Sequence, residues 1–64
     1  MTVDEFRTLT VGDRIRFEPD NAFGTVAEKK YGFAWIQWDD GVKRMVIGAR
    51  SKDDRDRLKR LTKV

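Results

Sequence analysis

The chain has 64 residues, with fourteen bases, eleven acids, and neither cysteine nor histidine, which is one domain, 1–64, and no more. The missing residue types exclude a disulfide framework, a Cys/His zinc site and histidine-based acid–base or nucleophilic chemistry. No apolar run approaches the roughly 18 residues of a membrane helix, and the start, Met1-Thr2-Val3-Asp4-Glu5, lacks the apolar core of a secretory signal. The expectation is a cytoplasmic protein. Two Trp, one Tyr and four Phe are too many aromatics for a typical disordered segment. A chain this short leaves little room for a deep substrate cavity, so we expect a binding module, not an enzyme, with no cofactor and no metal.

The first element reads as a short helix over residues 2–8. Thr2 can cap it, with Glu5 three residues on in the capping-box spacing. Val3, Phe6 and Leu9 then lie on one side, ready to plug one end of the remaining domain. After the turn Val11-Gly12-Asp13, residues 14–18 alternate. Ile15 and Phe17 face one way, and Arg14, Arg16 and Glu18 face the other, as in a half-buried strand. Pro19-Asp20-Asn21 ends it.

A second strand runs over residues 23–30, where Gly24 suggests a bulge or a sharp bend. Tyr31-Gly32 is a turn in which Gly32 can take the left-handed conformation. The third strand, residues 33–38, has an apolar face (Ala34, Ile36, Trp38) that is assigned to the core. Its other face (Phe33, Trp35, Gln37) is left at or near the surface. Asp39-Asp40-Gly41 is a hairpin signal. Of the fourth strand, residues 42–47, either Met45 and Ile47 or Val42, Arg44 and Val46 point inward, and Gly48 ends it.

Ser51, with Asp54 at the third helical position, can cap a second helix near 52–61. The pairs Asp53–Arg57 and Asp56–Arg60 support its exposed face, and Leu58 and Leu61 anchor it. Residues 61–64 either form a short fifth strand or continue the helix. Four or five short strands with tight turns suggest a small barrel, because closure removes exposed edges.

The residues themselves carry a resemblance. VGDRIRF (11–17), GTVAEKK (24–30) and FAWIQWDDG (33–41) resemble the strand and turn pattern of SH3-like barrels, nearest to the KOW and Tudor-type branch. In that branch a V-G-D turn opens strand one, a G-x-V element begins strand two, and a strand ending in W-D-D-G leads into strand four. The resemblance covers Val11 to about Ile47. It implies a mainly β fold: an SH3-like barrel of about five antiparallel strands with a short N-terminal helix and a short basic C-terminal helix. It also implies a binding role, since such barrels bind RNA, DNA, ribosomal and polymerase surfaces, methylated peptides and proline-rich peptides. Small free-standing barrels of this kind are frequent among bacterial and phage accessory proteins.

Charge distribution narrows the partner. Residues 1–48 carry seven bases and eight acids, whereas residues 49–64 carry seven bases and three acids. A local basic excess draws polyanions. The leading expectation is therefore nucleic acid or a nucleic-acid-containing assembly. Arg14, Arg16, Lys29, Lys30, Lys43, Arg44, Arg57 and Arg60 would contact phosphates, and Trp35 with Tyr31 or Phe33 would stack on bases. The alternative is a protein–protein interaction module, a small adaptor or inhibitor with the Phe33/Trp35 patch as its hot spot. A homo-oligomer using that same face is a further possibility. No membrane partner is expected. Asp39-Asp40 offers too few ligands for a cation site and reads as a turn.

Overall fold

The computed structural model describes residues 1–30, 32–41 and 44–64. In chain order these form α1 (Val3–Arg7), β1 (Arg14–Phe17), β2 (Ala22–Lys30), β3 (Phe33–Trp38), β4 (Arg44–Gly48), α2 (Lys52–Leu58) and β5 (Leu61–Lys63). The five strands make one antiparallel sheet in the order β4-β3-β2-β1-β5. The protein is thus mainly β with two short helices, as expected.

Both helices start where their caps dictate. The Thr2 hydroxyl accepts from the Glu5 backbone N–H, and the Glu5 carboxylate accepts from the Thr2 N–H at 2.8 Å. Ser51 and Asp54 repeat that reciprocal box at the start of α2. Each box satisfies two of the N–H groups that a helix start leaves without an intrahelical partner. α2 ends at Leu58, short of the expected 61, because Leu61 pairs with Phe17 as the first residue of β5. The fifth strand therefore exists, and it extends the sheet from β1.

The core occupies one face of the sheet. Ile15, Val26, Ala34, Ile36, Trp38, Ile47 and Leu61 are buried there. The sheet is curled, since Phe17 of β1 and Met45 of β4, three strands apart in the order, line one cavity. A flat sheet would hold them about 14 Å apart. Curling does not make a fully bonded cylinder: β4 and β5 are the two ends of the strand order. Instead α2, which joins them in the chain, buries Leu58 in the core. From the other direction α1 inserts Phe6, which is 2% exposed.

Two local readings change. Gly24 is not at a bulge, because it pairs in register with Ile15 and Trp38. It is small because a Cβ there would lie 2.7 Å from Ile36 Cγ2 and 2.8 Å from Trp38 Cε3. The register slip falls instead between Val26 and Glu28, leaving Ala27 as the extra residue. A one-residue slip exchanges the faces of everything beyond it. After the slip Lys29 pairs with buried Ala34, and Lys30 pairs with Phe33 on the other face. On β4 the inward pair is resolved as Ile47 and Met45, with Arg44 and Val46 outward. Val42 lies outside the described residues.

Candidate binding surfaces

The outer face of the sheet carries the aromatic pair singled out from the sequence. Trp35 stands between Glu28 and Val46 across the strands, and Phe33 stands between Lys30 and Gly48. Both rings are half-buried, and Val46 is 40% exposed. The helix anchors Phe6 and Leu58 belong to the core on the opposite face, while Asp54 of α2 reaches the edge of the aromatic strip beside Gly48. A shallow depression of about 350 Å³ lies here, lined by Gly32, Phe33, Trp35, Val46, Gly48, Arg50 and Asp54. Gly32 has φ +86°, the left-handed turn conformation expected of it. The Arg50 side chain fills the space above it, with Nε 2.9 Å from where a Cβ would sit. Sequence reasoning missed Arg50, which only the Gly32 turn brings beside the aromatic strip.

The basic residues do not all reach this face. Arg14 does, but its guanidinium is already engaged in a two-pronged pair with Asp39, at 2.7 and 2.6 Å, and donates to Thr25 Oγ1 at 2.9 Å. It also lies 5.9 Å from the centroid of the Phe23 ring. The hydrogen bonds from Arg14 hold the Asp39 carboxyl below the usual carboxylate range and raise Arg14 itself. Arg16 is held more loosely, 3.8 Å from Glu18 and 3.5 Å from Asn21 Oδ1. Arg44 Nε donates to Gln37 at 3.3 Å, on the row Arg14–Thr25–Gln37–Arg44 that crosses the sheet from β1 to β4.

Lys29 and Lys30 do not track one backbone together. Lys30 sits 3.4 Å from Glu28 on the outer face, while Lys29 Nζ lies 4.8 Å from the Phe6 ring centroid on the core side. Neighbours on a strand face opposite ways, and the slip at Ala27 decides that Lys30 is the outward one. Arg57 and Arg60 are also elsewhere, in a hollow of about 230 Å³ with Phe17, Asp53 and Asp56. Arg57 is in α2 and Arg60 just beyond it, and neither lines the depression at Trp35. Tyr31 and Lys43 lie outside the described residues.

A further cavity is one the sequence reading did not assemble. At the end of the sheet formed by the β1–β2 and β3–β4 turns, a groove of about 600 Å³ has Phe17, Ala22, Trp38 and Met45 as its floor. Its rim is Asp20, Asn21, Phe23, Asp39, Asp40 and Arg44. Phe17 and Trp38 meet edge-to-face, with centroids 6.4 Å apart at 64°. Inward alternation of Phe17 and Trp38 was visible in the sequence. That no other described side chain fills the space between them was not.

Among the described residues, no group of three or more carboxylates, histidines or cysteines is placed to hold a metal ion. Among the same residues, no helix is long and apolar enough to cross a membrane. Comparison with protein-family models, with curated proteins and with solved structures gives no match.

Proposed function

We propose that the protein is a non-catalytic module that binds single-stranded nucleic acid, or an assembly exposing it, on the outer face of its sheet. One observation carries this reading: half-buried Trp35 and Phe33 stand on the outer face of the sheet, with Lys30, Arg50 and Asp54 of α2 at their edge. Half-buried rings on a strand are held firmly enough to stack on bases, and the nearby cations supply the salt-dependent part of the affinity. Arg16 and Arg44 extend the basic surface, while Arg14 acts to hold the β3–β4 turn. The five-stranded order, with the C-terminal strand returning to β1, supports the resemblance to SH3-like barrels of the KOW and Tudor type. A cytoplasmic accessory role of the bacterial or phage kind fits that resemblance.

Fluorescence anisotropy of labelled single-stranded DNA, RNA and duplex DNA between about 50 and 200 mM salt tests the proposal. Micromolar binding to a single strand that weakens as salt rises is the expected result. Trp35→Ala should weaken it at least about fivefold, the low end of what one stacked base contributes. Arg14→Gln should change it less than Arg50→Gln. The competing reading, a protein contact or self-association centred on Phe33 and Trp35, predicts no affinity for any of the three polymers at low salt. It also predicts a melting temperature that shifts with protein concentration if the partner is a second copy.

A further inference from the structure

We propose that the base lying on Trp35 is a guanine, read along one edge by Arg44 with Gln37 as its positioning partner. This rests on the outer-face reading above and gives that site a base preference.

The register places the reading group. Gln37 follows Trp35 by two residues on β3 and shares its face. Arg44 stands opposite Gln37 as Val46 stands opposite Trp35. Two residues of strand span about 7 Å, and diagonal neighbours across a ladder lie within reach of long side chains. A base flat on the Trp35 ring therefore turns one edge toward Gln37 and Arg44. Arg44 is exposed and Gln37 half-buried, so that edge of the face is open.

The hydrogen-bond polarity of the pair is fixed. Arg44 Nε donates to Gln37 Oε1 at 3.3 Å. A guanidinium has no acceptor, so the amide oxygen faces Arg44 and the amide NH2 points elsewhere. No other described residue bonds that NH2 or the two Nη groups of Arg44. The pair thus offers donors only. Of the carboxylates on this face, Glu28 sits 3.4 Å from Lys30, and Asp39 accepts from Arg14 with both oxygens. With Nε held on Gln37, the two Nη groups of Arg44 form an aligned fork.

A fork of two donors selects two adjacent acceptors. Guanine presents O6 and N7 side by side, and arginine on that pair is the commonest specific base contact. Adenine sets an amino group beside N7, and thymine sets a methyl beside O4. The adjacent acceptors of cytosine, O2 and N3, lie next to its glycosidic bond, where the sugar crowds a guanidinium. A purine also covers more of the indole than a pyrimidine does.

The probes are labelled thymidine hexamers whose fourth base is guanine, adenine, cytosine or thymine, followed by fluorescence anisotropy at low salt. The guanine hexamer should bind at least about fivefold more tightly than each of the others, the low end of one bidentate contact. Replacing the guanine by 7-deazaguanine, which lacks the N7 acceptor, should remove most of that advantage. Hypoxanthine, which lacks the amino group and keeps O6 and N7, should retain it. Arg44→Lys keeps the charge and loses the fork. Its affinity for the all-thymine hexamer should stay within about twofold of the parent, since the phosphate attraction is unchanged. Its preference for guanine should fall below about twofold, because an ammonium is a point charge without bidentate geometry.

Equal binding of all four hexamers would overturn the guanine assignment and leave the outer-face reading standing. No binding of any hexamer would overturn that reading and this one with it. Tighter binding of another base, or a guanine advantage that survives 7-deazaguanine or Arg44→Lys, would also overturn the assignment to Arg44.

Discussion

The two ends of the core are built from similar residues and finished differently. At the end near the β2–β3 turn, Phe6, Leu9 and Leu58 close the space, and all three are at most 4% exposed. At the end near the β1–β2 and β3–β4 turns, Phe17, Trp38 and Met45 border about 600 Å³ that the described residues leave open. A domain of this length buries only about 60% of its unfolded surface, so apolar side chains left uncovered are a large fraction of what could have stabilised it. The contrast teaches that the fold's closure is divided unevenly along the molecule: one end is sealed by helix side chains, and the other keeps apolar surface exposed among the described residues.

The sharpest test of that division is a pair of truncations, one at each end. Phe6→Ala removes a fully enclosed ring, with a typical cost of about 3–5 kcal/mol. Total stability for this chain length is about 3–10 kcal/mol, so the variant should lose most of its cooperative transition in urea denaturation followed by circular dichroism. Met45→Ala, at the open end, should shift the midpoint by less than about 1 kcal/mol. Similar losses from both would mean that the groove is as much a part of the core as the closed end is.

Gly24→Ala tests whether the open end is rigid. The added methyl would stand inside contact distance of both Ile36 and Trp38, and overpacking of this kind costs about 1–3 kcal/mol. The effect should be local as well as thermodynamic. The Trp38 indole resonance in a proton–nitrogen NMR spectrum should move, and that of Trp35, on the other face, should stay close to its original position. An unperturbed Trp38 would mean that the sheet opens easily there.

Much of this division was legible in the sequence, although the open end was not. Alternation placed Ala34, Ile36 and Trp38 in the core, because period-two burial is a property of one strand alone. The two capping boxes were legible for the same reason: Thr2 with Glu5 and Ser51 with Asp54 interact within a single turn. The slip at Ala27 was hidden, since a bulge belongs to the pairing of two strands and alanine carries no signal for it. That slip decides that Lys30 and not Lys29 faces outward. The three-residue β5 is too short to show a period. The groove was hidden most deeply, because inward-facing rings say nothing about whether another element arrives to cover them.

The smallest expected effect is also the one that links the two surfaces. Asp39 belongs to the groove rim and at the same time grips Arg14 on the outer face. Its carboxyl is held below its ordinary value by the hydrogen bonds from Arg14. Asp13 is lowered as well, first by the Thr10 backbone N–H and then by Lys63, and Glu5 by its bonds to Thr2. A group depressed in the folded state contributes stability above its unfolded pKa, about 3.9 for aspartate, and that contribution fades as pH falls through the folded value. Stability should therefore be level from neutral pH to about 5 and decline below about 4. Asp39→Asn should make the acid decline shallower, with the variant and the parent converging once Asp39 of the parent is protonated. Because the pair is solvent-exposed, salt should shrink the difference. The same substitution frees the Arg14 guanidinium, so it should slightly strengthen binding of single-stranded nucleic acid at low salt. A gain in affinity that salt removes would show that the freed Arg14 reaches the bound strand, whereas no change in affinity would show that Arg14 only holds the β3–β4 turn.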